Sequence, residues 1–394
     1  MNTKPARFSI VRFFSSFKGY RQFKALSADQ RNIVFYSESG QDWHHFKPIV
    51  TKLLEQSHQV CYLTSDANDS GLLLKHPLYS SVCVPMGFWL ITLFQFMKAD
   101  CCVLTMIDLH VFHLKRSIHP VHYIYLFHSM SSTHMVDFEN SYDHYDTILC
   151  VGQHQIDEVR AREKLKDLPP KNLVHHGYAR IDTLLQDPRN NHRSPQAPYT
   201  ILLAPTWGPD SILPVCGDAL IGILLDAGFK VILRPHYQTT KLMPEIVNAL
   251  LKSYSEKNGF SYINAMGDTD SLFASDMLIC DWSSTSMEYA LGLEKPVLYI
   301  DVPKRIRNPH YTDLNMEPLE ISIRSVVGNI LSPNALEKAP EVINQLLSDP
   351  EKFRKKIATL RNQVLFNSGK SVEVGAREIA GIASDIRDKR LSTP

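Results

Sequence analysis

The sequence predicts an α/β protein made of two similar Rossmann-like halves, each with a parallel sheet flanked by helices. Three observations carry this. Short apolar runs of strand length alternate with longer helical patterns along most of the chain. Such alternation argues for parallel strands covered on both faces. A polar, proline-bearing stretch at 186–198 (QDPRNNHRSPQAP) interrupts the pattern, which then restarts. At 394 residues the chain is long for one domain and comfortable for two.

Residues 1–24 stand apart. Lys4, Arg7, Arg12, Lys18, Arg21 and Lys24 are interleaved with Phe8, Phe13, Phe14, Phe17, Tyr20 and Phe23, and no acid occurs before Asp29. The apolar runs are too broken for a secretory signal. The pattern suits a helix lying on an anionic membrane surface, or a packed or disordered arm. Residues 32–37 (NIVFYS) are the first strand, followed by a helix to about residue 56 and a strand at 59–63. The loop between them holds one glycine, so no dinucleotide fingerprint is present. Residues 82–97 are uncharged and apolar but fall short of a bilayer span, and read as a strand then a buried helix. Residues 101–105 and 121–127 (VHYIYLF) are further strands, the latter running into His128. A strand within 142–152, a polar helix from residue 153 to about 166 and a strand near 173–174 complete the first half.

The second half opens with a strand at 199–204 that ends in Pro205, Thr206 and Trp207. A helix at 214–227 leads to a strand at 229–233, which ends in Arg234, Pro235 and His236. After a helix near 245–257 and a strand at 261–264 comes the stretch around which the chain is organised, ASDMLICDWSSTSMEYALGLEKPVLYI at 275–300. It reads as strand, hydroxyl-rich turn, helix, strand. Thr285 and Glu288 have capping-box spacing. Free backbone N–H groups, hydroxyls and a positive helix end would then meet at one spot and suit a phosphate; a well-capped helix without ligand fits the same residues. From Leu319 onward the tail is expected to be helical.

Composition narrows the function. A net charge of +1 gives no global pull toward nucleic acid. The seven cysteines form no C-x-x-C pair, which points to reduced thiols. No P-loop and no G-x-S-x-G elbow occur. Asp143, Asp146, Asp281, Asp301 and Asp313 lack metal-ligand spacing, so neither metal nor cofactor is expected. Polar groups remain at four strand ends: His128; Thr206 and Trp207; Arg234 and His236; Asp281, Ser283, Ser284 and Thr285. Open α/β sheets bind ligands at such ends. Arginine offers a fork to phosphate, and a histidine can take a hydroxyl proton or, when cationic, hold phosphate.

In order, APTW (204–207), LRPH (233–236), DWSSTSMEYA (281–290) and Lys295-Pro296 resemble the CDP-glycerol glycerophosphotransferase family, the teichoic-acid-type primases and polymerases. HGYARID (176–182) looks like that family's G-Y-P-R-x-D segment, and the likeness covers roughly 123–311. The resemblance implies a GT-B fold, two Rossmann-like domains with parallel sheets facing a central cleft. The residue pattern and the linker divide the chain into a basic aromatic segment at 1–28 and domains at 29–190 and 198–394, which the resemblance makes the acceptor and nucleotide-donor domains. The implied reaction moves glycerol phosphate, or a similar polyol phosphate, from a CDP-activated donor to a hydroxyl of a membrane-linked glycan or polyol phosphate, releasing CMP. His128 would be the base and His236 would contact donor phosphate. Ser283, Ser284 and Thr285 would hold the diphosphate, with Arg234, Thr206, Trp207 and Asp281 lining the substrate site. The implied location is the cytoplasmic face of the membrane, bound peripherally through residues 1–24. Two departures bear on donor and acceptor choice. His128-Ser129-Met130-Ser131-Ser132-Thr133 replaces the family's H-G-T-P-L-K, and Gly208 stands where a basic residue often follows PTW. His134 is an alternative proton acceptor. A UDP-sugar transferase or epimerase, and an inactive membrane-surface protein, are the competing readings.

Overall fold

The computed structural model describes residues 10–190, 198–264 and 269–392. Most of the expected linker at 186–198, and the basic and aromatic positions before residue 10, lie outside the described residues. The chain forms two compact units.

The first unit is built on a seven-stranded sheet. Its strands are β1 (Ile33–Ser37), β2 (Val60–Thr64), β3 (Tyr79–Cys83), β4 (Cys101–Leu104), β5 (His122–Leu126), β6 (Thr147–Cys150) and β7 (Asn172–His175). The order is β3-β2-β1-β4-β5-β6-β7 and every pairing is parallel. β1 and β2 are buried at every residue, as strands covered on both faces must be. Phe35, Val103, Ile124 and Leu149 of the sheet pack with Phe46, Ile49 and Leu53 of the helix Trp43–Glu55.

The second unit carries a six-stranded sheet: β8 (Thr200–Leu203), β9 (Lys230–Leu233), β10 (Phe260–Tyr262), β11 (Met277–Cys280), β12 (Val297–Ile300) and β13 (Gly328–Leu331). Its order is β10-β9-β8-β11-β12-β13, again all parallel. Ile201, Leu203, Val231, Leu233, Ile279 and Leu298 meet Leu220 and Leu224 of the helix Ile212–Asp226. The strand order reverses beside β1 and β4 in the first sheet and beside β8 and β11 in the second. Those are the positions where open sheets leave a crevice at their carboxyl ends.

Four expectations are corrected. The tail is not wholly helical, because Gly328–Leu331 adds edge strand β13. Gly328 lets it approach: a Cβ there would lie 1.7 Å from the Val297 carbonyl oxygen. The boundary expected at 186–198 falls earlier, since Arg180 onward belongs to the second unit. Leu184 packs against Gly292, and Arg180 pairs with Glu288 at 3.6 Å. The range 198–394 is also too long at its far end. The chain from Gly369 returns to the first unit, where Ala376, Ile379 and Ala383 of the helix Ser371–Ser392 join the first core. Finally, the aromatic side of the N-terminal helix Ile10–Ala25 faces protein. Phe17 and Tyr20 lie 4.6 and 5.2 Å from Trp89, and Phe23 is fully buried. Among the described residues no helix is long and apolar enough to cross a membrane.

Two glycines of the returning helix test its docking. A Cβ on Gly375 would stand 2.7 Å from Nε2 of buried His176, whereas one on Gly381 meets nothing within 4 Å. Gly375→Ala should therefore lower stability by about 1–3 kcal/mol, while Gly381→Ala raises it by about 0.5–1 kcal/mol. Urea midpoints of the two variants check this; equal shifts of one sign would refute the packing.

Candidate functional site

In the second unit the site grows from Asp281, the residue after β11. Its side chain is 0% exposed. Oδ1 accepts the backbone N–H groups of Thr206 and Trp282, both at 2.8 Å, and Oδ2 accepts that of Ile212 at 3.2 Å. Asp281 was expected to contact substrate. It instead ties the loop after β8 to the loop after β11, and no face of it is open to a ligand.

The turn that follows is left with unused donors. The backbone N–H groups of Ser283 and Ser284 have no partner among the described residues, and neither do the hydroxyls of Ser284 and Thr285. The expected Thr285–Glu288 capping box does not form. The cap position of the helix Thr285–Leu293 is Ser284, with no side-chain bond. Ser283 Oγ accepts the Thr285 N–H at 3.3 Å, and the Glu288 carboxylate pairs with Arg180. The result still presents N–H groups and hydroxyls at a positive helix end, a suitable cradle for a phosphate. Behind it, Trp282 Nε1 donates to the Val302 carbonyl at 2.9 Å, and the buried Arg324 guanidinium lies over Trp282 at 4.1 Å and Tyr299 at 5.0 Å.

Thr206 is buried and Trp207 half-buried at the end of β8. The Trp207 ring lies 6.2 Å from that of His236, and Arg305 is stacked on it at 4.6 Å. His236 N-caps the helix Tyr237–Leu242, its Nδ1 accepting the Gln238 N–H at 3.0 Å. That places the ring proton on Nε2. Desolvation, then the Arg305 charge, pushes the imidazole down to about 4. At neutral pH His236 is thus an uncharged Nε2–H donor, which corrects the idea of a cationic ring. Arg234 Nη1 donates to Ser271 Oγ at 3.0 Å.

In the first unit His128 is exposed just beyond β5. Tyr178 Oη donates to its carbonyl at 3.0 Å, and Tyr125 Oη lies 3.5 Å from its Nδ1. The His45 ring is 6.1 Å away. An acidic group not foreseen from sequence sits at the ends of β1 and β4. Asp42 accepts from Ser37 Oγ at 3.2 Å; burial raises its pKa and the nearby His128 opposes the rise. Glu38 is pushed up to about 7 by desolvation and by repulsion from Asp108 and Asp42. The alternative acceptor His134 is buried in the second unit, with Nε2 3.2 Å from the Met316 carbonyl. Its segment, Ser129–Val136, is held there by Ser132, whose N–H and hydroxyl reach Glu320 at 2.8 and 2.7 Å.

Residues 117–304, a little under half the chain, match the family model for CDP-glycerol:poly(glycerophosphate) glycerophosphotransferase. Over that segment the chain is similar to glycerophosphotransferases. A search of curated proteins finds no match. A structure of the wall teichoic acid polymerase TagF soaked with CDPG is similar at a TM-score of 0.58 and 15% identity, covering 97% of this chain and 99% of that one. A Methanocaldococcus jannaschii UDP-GlcNAc 2-epimerase, in complex with UDP-GlcNAc and UDP, gives 0.57 and 13%, covering 90% and 99%. The lipopolysaccharide glycosyltransferase WaaG gives 0.52 and 13%, covering 89% and 100%. At these identities the likeness establishes the fold, which is GT-B-like with two parallel α/β sheets.

The acidic group at the ends of β1 and β4 sets a pH signature. Glu38 has a folded pKa above its ordinary value of 4.5, so its contribution to stability is present below 4.5 and lost as pH rises through about 7. Glu38→Gln abolishes that loss. Relative to wild type, the variant should gain stability between pH 4.5 and pH 8, as read from paired urea titrations; a gain that is flat across this range would disprove the assignment.

Proposed function

We propose that the protein transfers glycerol phosphate, or a closely similar polyol phosphate, from a CDP-activated donor to an acceptor hydroxyl. The uncommitted N–H groups and hydroxyls of the Ser283, Ser284 and Thr285 turn carry this reading, because they form an anion cradle at the strand-order reversal inside the family-matched segment. The donor diphosphate rests there, with His236 Nε2–H as a further neutral donor. His128 takes the proton of the acceptor hydroxyl. The acceptor oxygen bonds to the phosphorus nearest the glycerol, the bond from that phosphorus to the CMP oxygen breaks, and CMP leaves. Donors aimed at phosphate oxygens stabilise the charge that grows on the leaving group; each is worth on the order of 10²–10³ in rate.

A second reading has one specific observation in its favour. Epimerisation of a UDP-sugar needs acids; Asp42 supplies one that feels His128, and Glu38 in turn feels Asp42 and Asp108. One panel separates the two: CDP-glycerol, CDP-ribitol and UDP-GlcNAc, each with and without a polyol-phosphate acceptor, following nucleotide release and sugar configuration. CMP release that requires acceptor is expected, and His128→Ala should lower kcat roughly 10²–10⁴-fold. Epimerised UDP-sugar, or full turnover by the variant, would overturn the transfer reading.

The acceptor in this reading is a membrane-linked glycan or polyol phosphate, reached from the cytoplasmic face. What supports surface binding is narrower than the whole N-terminal segment. Phe14 (63% exposed) and Phe88 (62% exposed) flank the packed Trp89 cluster, and Lys18, Arg21 and Lys24 are exposed along the same helix. Exposed aromatics beside basic residues suit an anionic lipid surface. Co-sedimentation should show binding to vesicles containing phosphatidylglycerol, weaker binding to phosphatidylcholine alone, and a loss in the Phe14→Ser, Phe88→Ser double variant. An unchanged bound fraction in that variant would exclude this face.

A further inference from the structure

Arg305 lies one residue beyond the family-matched segment, in the irregular stretch after β12. Its guanidinium is stacked 4.6 Å from the centre of the Trp207 ring, and it makes no hydrogen bond or ion pair among the described residues. Its surroundings do not neutralise it. Arg307 repels it, and the acid it feels, Asp281, has both oxygens engaged by backbone N–H groups. The space beside Trp207 is also empty of other side chains on the next residue. Gly208 sits at φ +119°, and a Cβ there would meet nothing within 4 Å. A half-buried, uncompensated arginine held over an aromatic ring is preorganised for an oxyanion, because the contact restricts where its donor fork can go.

From this geometry we infer that Arg305 is the charged half of the diphosphate site and sets its preference for a nucleoside diphosphate ester over the monophosphate product. The inference rests on the donor-binding reading above. The turn of Ser283, Ser284 and Thr285 and the neutral His236 offer only uncharged donors, which suffice for one phosphate group. Arg305 adds a charged fork beyond the turn, so a donor whose two phosphate groups engage both gains more than CMP, whose single phosphate group engages one. Loss of that second charged group on transfer then weakens the hold on the product. Depression of the Arg305 pKa, caused first by desolvation and next by Arg307, is consistent with a cation awaiting an anion. The same cation lies within electrostatic reach of His236 and contributes to keeping that ring neutral.

Calorimetric titration of wild type, Arg305→Met and Arg305→Lys with pyrophosphate, CDP, CMP and cytidine tests this. Methionine keeps an unbranched stem on Trp207 and removes the charge; thermal melts confirm that both variants fold. Arg305→Met should weaken CDP and pyrophosphate by roughly tenfold or more, the scale of a charged hydrogen bond. It should weaken CMP less and leave cytidine unchanged, with Arg305→Lys in between. Equal affinity of wild type and Arg305→Met for CDP, or an equal loss for cytidine and CDP, overturns the assignment. Arg305-dependent binding of pyrophosphate with no preference for CDP keeps Arg305 as an anion ligand and overturns the CDP-donor reading instead. Absence of any pyrophosphate or CDP binding to wild type overturns both.

Discussion

The buried Asp281 carboxylate is the constraint on which the second unit's site depends. A carboxylate taken wholly out of water is costly unless its oxygens find donors. Here the donors are three backbone N–H groups drawn from the loops after β8 and β11, at Thr206, Ile212 and Trp282. Those strands flank the reversal of strand order, where nothing in the sheet itself holds two neighbouring loops together. The acid does so from beneath. The turn at 283–285 therefore needs no capping box to keep its shape, and its outward N–H groups and hydroxyls stay uncommitted.

That arrangement explains which parts of the site were legible in the sequence. β11 and β12 are short, fully apolar runs, β8 and β5 are apolar after one leading polar residue, and runs of that kind admit few readings. Polar residues follow the ends of these strands and of β9, so position alone singles out His128, Trp207, His236 and the serine turn as candidates. Asp281 was misjudged because a carboxylate at a strand end looks the same in sequence whether it faces a ligand or a backbone. Arg305 was missed because residues 301–310 have no regular structure and so no periodicity to read. The return of the helix Ser371–Ser392 to the first unit was equally hidden. An amphipathic helix declares that it has an apolar face, never which core will receive it. β13 escaped for the opposite reason: a four-residue edge strand beginning with glycine, half of it exposed, has almost no apolar signal.

The histidines show how geometry divides residues that composition leaves equal. Seventeen are present, and the two singled out by strand-end position have different chemistry. His236 spends Nδ1 on a helix cap and sits near a cation, so it is neutral and donates from Nε2. His128 is open to solvent and stands near Asp42, whose raised pKa the imidazole opposes. The cap on Nδ1 leaves His236 with Nε2–H to offer, while His128 has its ring open to solvent. His176, by contrast, is buried with a pKa pushed down to about 4 by that burial, and it packs beneath Gly375 as part of the first unit's interior.

Asp281 also has an electrostatic consequence. Its negative charge is screened by hydrogen bonds but not cancelled, and it stands two residues before the turn proposed to hold an anion. At close range inside a protein, one such charge opposes another by a few kcal/mol. Neutral N–H groups and hydroxyls alone must overcome this before they bind an anion. A site that uses a buried acid as its scaffold must therefore place a cation on its ligand side. Arg324 cannot be that group, since it is buried against Trp282 and Tyr299 and paired with Asp301 at 3.1 Å. Arg305 meets the requirement. It is half-open, stacked on Trp207 and attracted by Asp281 without bonding to it. In the donor-binding reading proposed above, the acid shapes the turn and the arginine supplies its charge.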